Sequence, residues 1–145
     1  LDSDRQIGLE DFAVTWQLAR QNDAVLGVRR RRHDPRHRLV LSRLLRGALS
    51  GLLGVHSTDA NVPYKLLPRT LALEATAAMP PQPRIPSVLL TVYLHRRGLR
   101  IAEQDVQHFA RSAGEASLRW RRLIAFCRTA LRELLRFHRS LPPRS

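Results

Sequence analysis

Apolar residues recur along the chain with two different periods, and the changes of period mark out its elements. Phe12, Trp16 and Ala19 fall at helical spacing behind Glu10 and Asp11, and acids in a first turn suit the helix dipole, so residues 9–21 predict a helix. The short apolar run 24–28, with Gly27 near its end and Arg29 after it, predicts a buried strand. Arginines, His33, Asp34 and Pro35 make 29–35 a basic, solvated loop. Leu41, Leu45, Ala48, Leu49 and Leu52 predict a second amphipathic helix, over about 36–53, stopped at Gly54. Residues 57–65 are polar, contain Pro63, and read as a loop or irregular strand.

The second half follows the same logic. Residues 71–79 predict a short helix, and Pro80, Pro81, Pro83 and Pro86 break the chain after it. Residues 87–97 predict a helix with Gly98 just past its end, 99–109 a strand, and 111–117 a loop. Residues 118–138 predict a long basic helix, ended by Pro142 and Pro143. Helices alternating with a few strands indicate an α/β fold, with the strands near 24–28 and 99–109 in one sheet flanked by the helices at 9–21 and 36–53. Leu1 to Asp4 reads as the end of a strand whose beginning lies upstream.

Charge adds a constraint on partners. The formal net charge is +13, and Lys65 is the only lysine, so the positive charge is almost wholly guanidinium. Arginine meets phosphate in planar, bidentate fashion where lysine acts as a point charge, so an anionic partner is expected: a phosphorylated ligand, an acidic lipid or nucleic acid. A genome rich in G and C would also code arginine at surface positions without any such partner. Cys127 is the only cysteine. An intrachain disulfide or a Cys-based zinc site is thereby excluded, which fits a reducing compartment. No apolar run approaches the ~18 residues of a membrane-spanning helix.

The candidate chemistry begins at Asp2-Ser3-Asp4, where two carboxylates at the end of a strand can share one divalent cation and leave sites for a diphosphate. Gln6 follows at the spacing D-x-D-x-Q, and a helix opens at once. This stretch resembles the acidic motif of family-2 glycosyltransferases, in particular the branch of dolichol- and polyprenyl-phosphate sugar synthases. The resemblance continues in order. Val25-Leu26-Gly27-Val28-Arg29-Arg30 is similar to that family's strand ending in Gly-x-Arg. Arg38, Ser42 and Arg43 match the helix that follows, and Asp59-Ala60-Asn61-Val62-Pro63-Tyr64-Lys65 resembles its Asp-x-x-x-Gly-Phe-Arg/Lys segment. Tyr93, Arg97-Gly98, Ile101 and Glu103 resemble the next helix–Gly–strand, and His108, Arg111, Gly114 and Ser117 its basic acceptor-side loop. Pro63 stands where the family has Gly, and Gly-Glu-Ala-Ser-Leu where it has Gly-x-Ser-Lys.

The resemblance implies a nucleotide-diphospho-sugar transferase fold lacking its N-terminal nucleotide-binding strands. Residues 1–115 would be the C-terminal portion of the catalytic domain, and 116–145 a basic amphipathic helix and tail. It implies a nucleotide-sugar donor, a polyprenyl-phosphate or saccharide acceptor, and Mg²⁺ or Mn²⁺ held by Asp2 and Asp4. Asp59 and Arg111 would be the catalytic residues, Arg111 as a phosphate clamp. Gln6, Arg38, Arg43, Lys65 and Ser117 would bind substrate. As this fragment the chain is expected to be inactive. His56, His95 and His108 have no second ligand at metal spacing and read as structural or surface residues.

The helix at 118–138 places Trp120, Leu123, Ile124, Cys127, Leu131, Leu134 and Leu135 on one stripe, with Arg121, Arg122, Arg128, Arg132, Arg136 and Arg139 largely off it and Glu133 its one acid. That composition suits a lipid interface with anionic headgroups. Together with the resemblance to transferases whose acceptor is a membrane lipid, it implies a peripheral protein on the cytoplasmic face of a membrane. The alternative is a helix that simply packs its stripe on the domain. A basic helical nucleic-acid-binding protein and a non-catalytic accessory fragment are the competing readings. The spread of arginines over many segments, without a helix-turn-helix, zinc finger or aromatic platform, argues against nucleic acid.

Overall fold

A computed structural model describes residues 10–29, 36–106 and 120–142. Among them are five helices and three strands: α1 (Glu10–Ala19), β1 (Ala24–Val28), α2 (Arg36–Leu53), β2 (Lys65–Leu66), α3 (Arg69–Ala78), α4 (Pro86–Arg96), β3 (Ile101–Asp105) and α5 (Trp120–Ser140). The chain is a small mixed α/β domain, as its alternation of helical and strand periods predicts. Gly54 and Gly98 both have positive φ, 62° and 64°, and follow α2 and α4 as the sequence predicts.

The three strands form one sheet in the order β2-β1-β3. β1 is central and every one of its residues is buried, as expected of an apolar run covered on both faces. It pairs in parallel with β3, Ala24 opposite Ile101 through Val28 opposite Asp105. It pairs antiparallel with β2, Leu26 opposite Lys65. The parallel pair is tied at its start by Asp23, whose N–H donates to Arg100 O (2.8 Å) and whose carboxylate accepts the Arg100 N–H (2.8 Å). At its far end Val106 N–H donates to Val28 O (3.0 Å).

Side chains alternate across the sheet. On one face Gly27, Tyr64 and Gln104 lie under α1. Gly27 is required there: a Cβ on it would stand 3.0 Å from Tyr64 Cδ1 and 3.2 Å from Val106 Cγ2. On the other face Ala24 and Leu26 enter the main core with Leu49 of α2, Val88, Leu89 and Val92 of α4, and Leu134 and Phe137 of α5.

Three expectations are corrected. The apolar stripe that marks α1 is not the face it buries: Phe12 and Trp16 are about half exposed and stack on each other at 6.0 Å, while Thr15 is completely buried. Thr15 takes that place because its hydroxyl is satisfied by Asp11 O (2.7 Å), Tyr64 OH (2.8 Å) and Gln104 Oε1. The stripe of α5 is divided: Leu134 is buried, whereas Ile124 and Leu131 are exposed together with Phe126. The expected strand over 99–109 is shorter, Ile101–Asp105, because Leu99 N–H still bonds back to Leu94 O at the end of α4; 107–109 lie outside the described residues.

Candidate functional site

The C-terminal edge of the parallel β1–β3 pair is where an open α/β sheet offers a crevice to ligands, because the connections leave the strands there. Arg29 follows Val28 directly at this edge. Its guanidinium grips Asp59 with two parallel bonds, Nε to Oδ2 at 2.7 Å and Nη2 to Oδ1 at 3.1 Å. The pair is sheltered: the side chains are 14% and 5% exposed. A bidentate arginine–carboxylate contact of this kind fixes direction as well as charge.

The loop that carries Asp59 is fastened from three sides. Lys65 Nζ turns inward and donates to Ala60 O (3.2 Å), Val62 O and Ser87 Oγ (2.6 Å). These acceptors use all three N–H donors of an ammonium. Burial pushes the Lys65 ammonium down to about 8, opposed by the Asp59 carboxylate and reinforced by the Arg29 charge. Thr91 Oγ1 and Ser87 Oγ on α4 donate to Ala60 O (3.2 Å) and Val62 O (2.7 Å). On the other flank Glu103 accepts from Ser57 Oγ (3.0 Å) and Thr58 N–H (2.8 Å), and Arg46 donates to Thr58 O (2.7 Å). A narrow cleft lies above Asp59, lined by Ser42, Leu45, Arg46, Leu49 and Asn61.

The start of α1 is fixed at the same edge. α1 leads directly into β1 through a short turn, so its first residues lie near the end of β1, and Gln104 Nε2 donates to Asp11 O at 3.0 Å. The described residues Glu10, Arg29 and Val106 thus bring three chain segments to one edge.

Of the residues nominated from the sequence, Asp59 and Lys65 are brought together here. Lys65 is committed to holding the loop rather than open to solvent. Arg38 lies in the first turn of α2, and Arg43 is exposed on the same helix. Arg43 does not line the cleft; Arg46, three residues later, does. Asp2, Asp4, Gln6, Arg111, His108 and Ser117 lie outside the described residues. No group of three or more His, Cys, Asp or Glu suited to a metal ion occurs among the described residues. His56 and His95 are structural: His95 Nε2 lies 3.0 Å from His56 O and its Nδ1 2.9 Å from Thr91 O.

Arg46 was missed, and Arg29 was named only as the end of the Gly-x-Arg strand, with no role in the site. Arg29 reads from composition as the first member of a solvated basic run, and the structure corrects this. Its place two residues after Gly27 at the end of a buried strand is the signal that the Gly-x-Arg resemblance rests on. Arg46 carries no such mark. Compared with protein-family models, curated proteins and solved structures, the chain matches none.

Proposed function

We propose that the chain is the acceptor-side part of a family-2 glycosyltransferase with a nucleotide-diphospho-sugar transferase fold, passing a sugar from a nucleotide-sugar to a lipid-phosphate or saccharide acceptor at a membrane surface. The observation that carries this reading is the Arg29–Asp59 pair. The resemblance nominates the Gly-x-Arg strand end and the Asp-x-x-x-Gly-Phe-like segment separately, and nothing local obliges them to meet. They form one sheltered, bidentate contact at the C-terminal edge of the parallel strands.

The geometry also bears on the role of Asp59. Both of its oxygens are held by Arg29, so it orients its loop and the acceptor rather than standing free as a strong base. That suits an acceptor whose attacking oxygen is already ionised, as in a lipid phosphate, better than a neutral sugar hydroxyl. Arg111 would contact phosphate, Gln6, Arg38 and Ser117 would complete the substrate contacts, and Arg46 joins them from the cleft wall. Mg²⁺ or Mn²⁺ on Asp2 and Asp4 would supply neutralisation of the charge on the departing diphosphate.

The test uses inorganic diphosphate as probe, titrated calorimetrically into the full chain with and without Mn²⁺. Binding should require the metal and weaken tenfold or more when Asp2→Asn and Asp4→Asn are combined, while the chain alone transfers no sugar. Diphosphate binding that ignores the metal, or survives both substitutions, would remove the reading.

A further inference from the structure

Between α2 and α5, on the side of the molecule opposite α1, runs an apolar groove of about 410 Å³. Ala48, Val88 and Leu134 line its base, and Leu44, Phe126 and Leu131 its walls. The groove exists because α2 and α5 meet the core chiefly through the C-terminal halves, at Leu49, Leu134 and Phe137, leaving the earlier turns with exposed apolar side chains. Leu44 is 64% exposed and Leu131 40%. Val40 of α2 and Ile124 of α5 are also exposed. Leu45 and Asn61 line both the groove and the narrow cleft above Asp59. Arg84 stands on the groove's rim and Arg46 on the wall of the cleft.

We propose that this groove is a binding site for the hydrocarbon chain of an anionic amphiphile, with the charged head lying toward Asn61 and the Asp59 cleft. The size is that of a small-ligand pocket, and an almost wholly apolar lining with a few polar groups at one end is how such pockets fix orientation. The neighbouring charge selects the head: Arg84 stands on the groove's rim and Arg46 on the wall of the neighbouring cleft, while the Asp59 carboxylate is neutralised by Arg29. Only the further statement that the amphiphile is the sugar acceptor rests on the function proposed above.

The test is calorimetric titration of the full chain with decyl, dodecyl and tetradecyl phosphate below their micelle-forming concentrations. Affinity should rise by roughly fourfold for each methylene that enters the groove, and inorganic phosphate at the same concentration should not displace the ligand. Leu44→Asp and Leu131→Asp alter exposed positions and should keep the fold, checked by circular dichroism, yet weaken tetradecyl phosphate tenfold or more. Ala48→Phe, which fills the base, should do the same; if it does not fold, the leucine variants decide. Affinity indifferent to chain length or to these substitutions would overturn the proposal. So would sedimentation equilibrium showing a dimer dissociated by Leu131→Asp, since a second copy would then cover the groove. Chain-length-dependent binding without metal-dependent diphosphate binding leaves the groove standing and removes the transferase; the converse removes the groove alone.

Discussion

Asp59 and Arg29 lie thirty positions apart in sequence and 2.7 Å apart in space. Removing one partner strands the other charge in a sheltered site, which costs about 3–5 kcal/mol, whereas removing both costs less than the sum. Arg29→Met and Asp59→Leu should therefore each lower urea stability strongly, and the double variant should recover part of the loss; strictly additive losses would show that the pair does not act as a unit. Lys65 gives a second, pH-dependent test. Its usual value of 10.5 falls to about 8 in the fold, so between those values the unfolded chain holds a proton that the folded chain has released. Stability should then rise with pH from about 8 toward 10.5, at up to roughly 1.4 kcal/mol per pH unit, and be insensitive to this group below pH 8. Lys65→Met should remove that rise in urea melts at pH 7.5–9.5. At this scale the sequence was only half legible. Asp59 and Lys65 were nominated through the family resemblance, but partners distant in the chain leave no periodic trace, and by composition Arg29 looks like its arginine neighbours until the fold turns it inward.

At the scale of elements, period and punctuation were enough. β1 runs over the predicted residues, α2 stops at the predicted glycine, and both predicted strands share one sheet. What periodicity does not reveal is which part of a stripe finds a partner. In α1 the conspicuous aromatics are outside and a threonine is inside, because Tyr64 and Gln104 supply the hydrogen bonds that let its hydroxyl be buried. In α5 the same stripe is core at one end and surface at the other. Leu131 and Leu134 are one turn apart, chemically identical, 40% and 1% exposed. Leu134→Ala should cost about 2–5 kcal/mol through lost burial and the cavity left behind, and Leu131→Ala less than about 1 kcal/mol. Thermal melts of the two variants measure this directly, and equal destabilisation would mean that the whole stripe packs on the domain.

For the whole molecule, the net charge of +13 and the exposed apolar walls of α2 and α5 combine into one consequence. No helix among the described residues is long and apolar enough to cross a membrane. Attraction to an anionic bilayer would thus come from two separable sources: the arginine field, which salt screens over about 10 Å at 0.1 M, and insertion of Ile124, Phe126 and Leu131, which salt does not screen. Deleting α5 cannot separate them, because Leu134 and Phe137 hold the core. Replacing Ile124, Phe126 and Leu131 together by Ser leaves both the core and the charge in place. The intact chain should co-sediment with vesicles containing phosphatidylserine, and only weakly with neutral phosphatidylcholine vesicles. At 0.5 M salt a fraction should remain bound, held by the apolar side chains. The triple-serine variant should match the intact chain at low salt and be released at 0.5 M. If the two proteins sediment alike at both salt concentrations, the exposed end of α5 does not enter the bilayer, and association with a membrane would rest on charge alone.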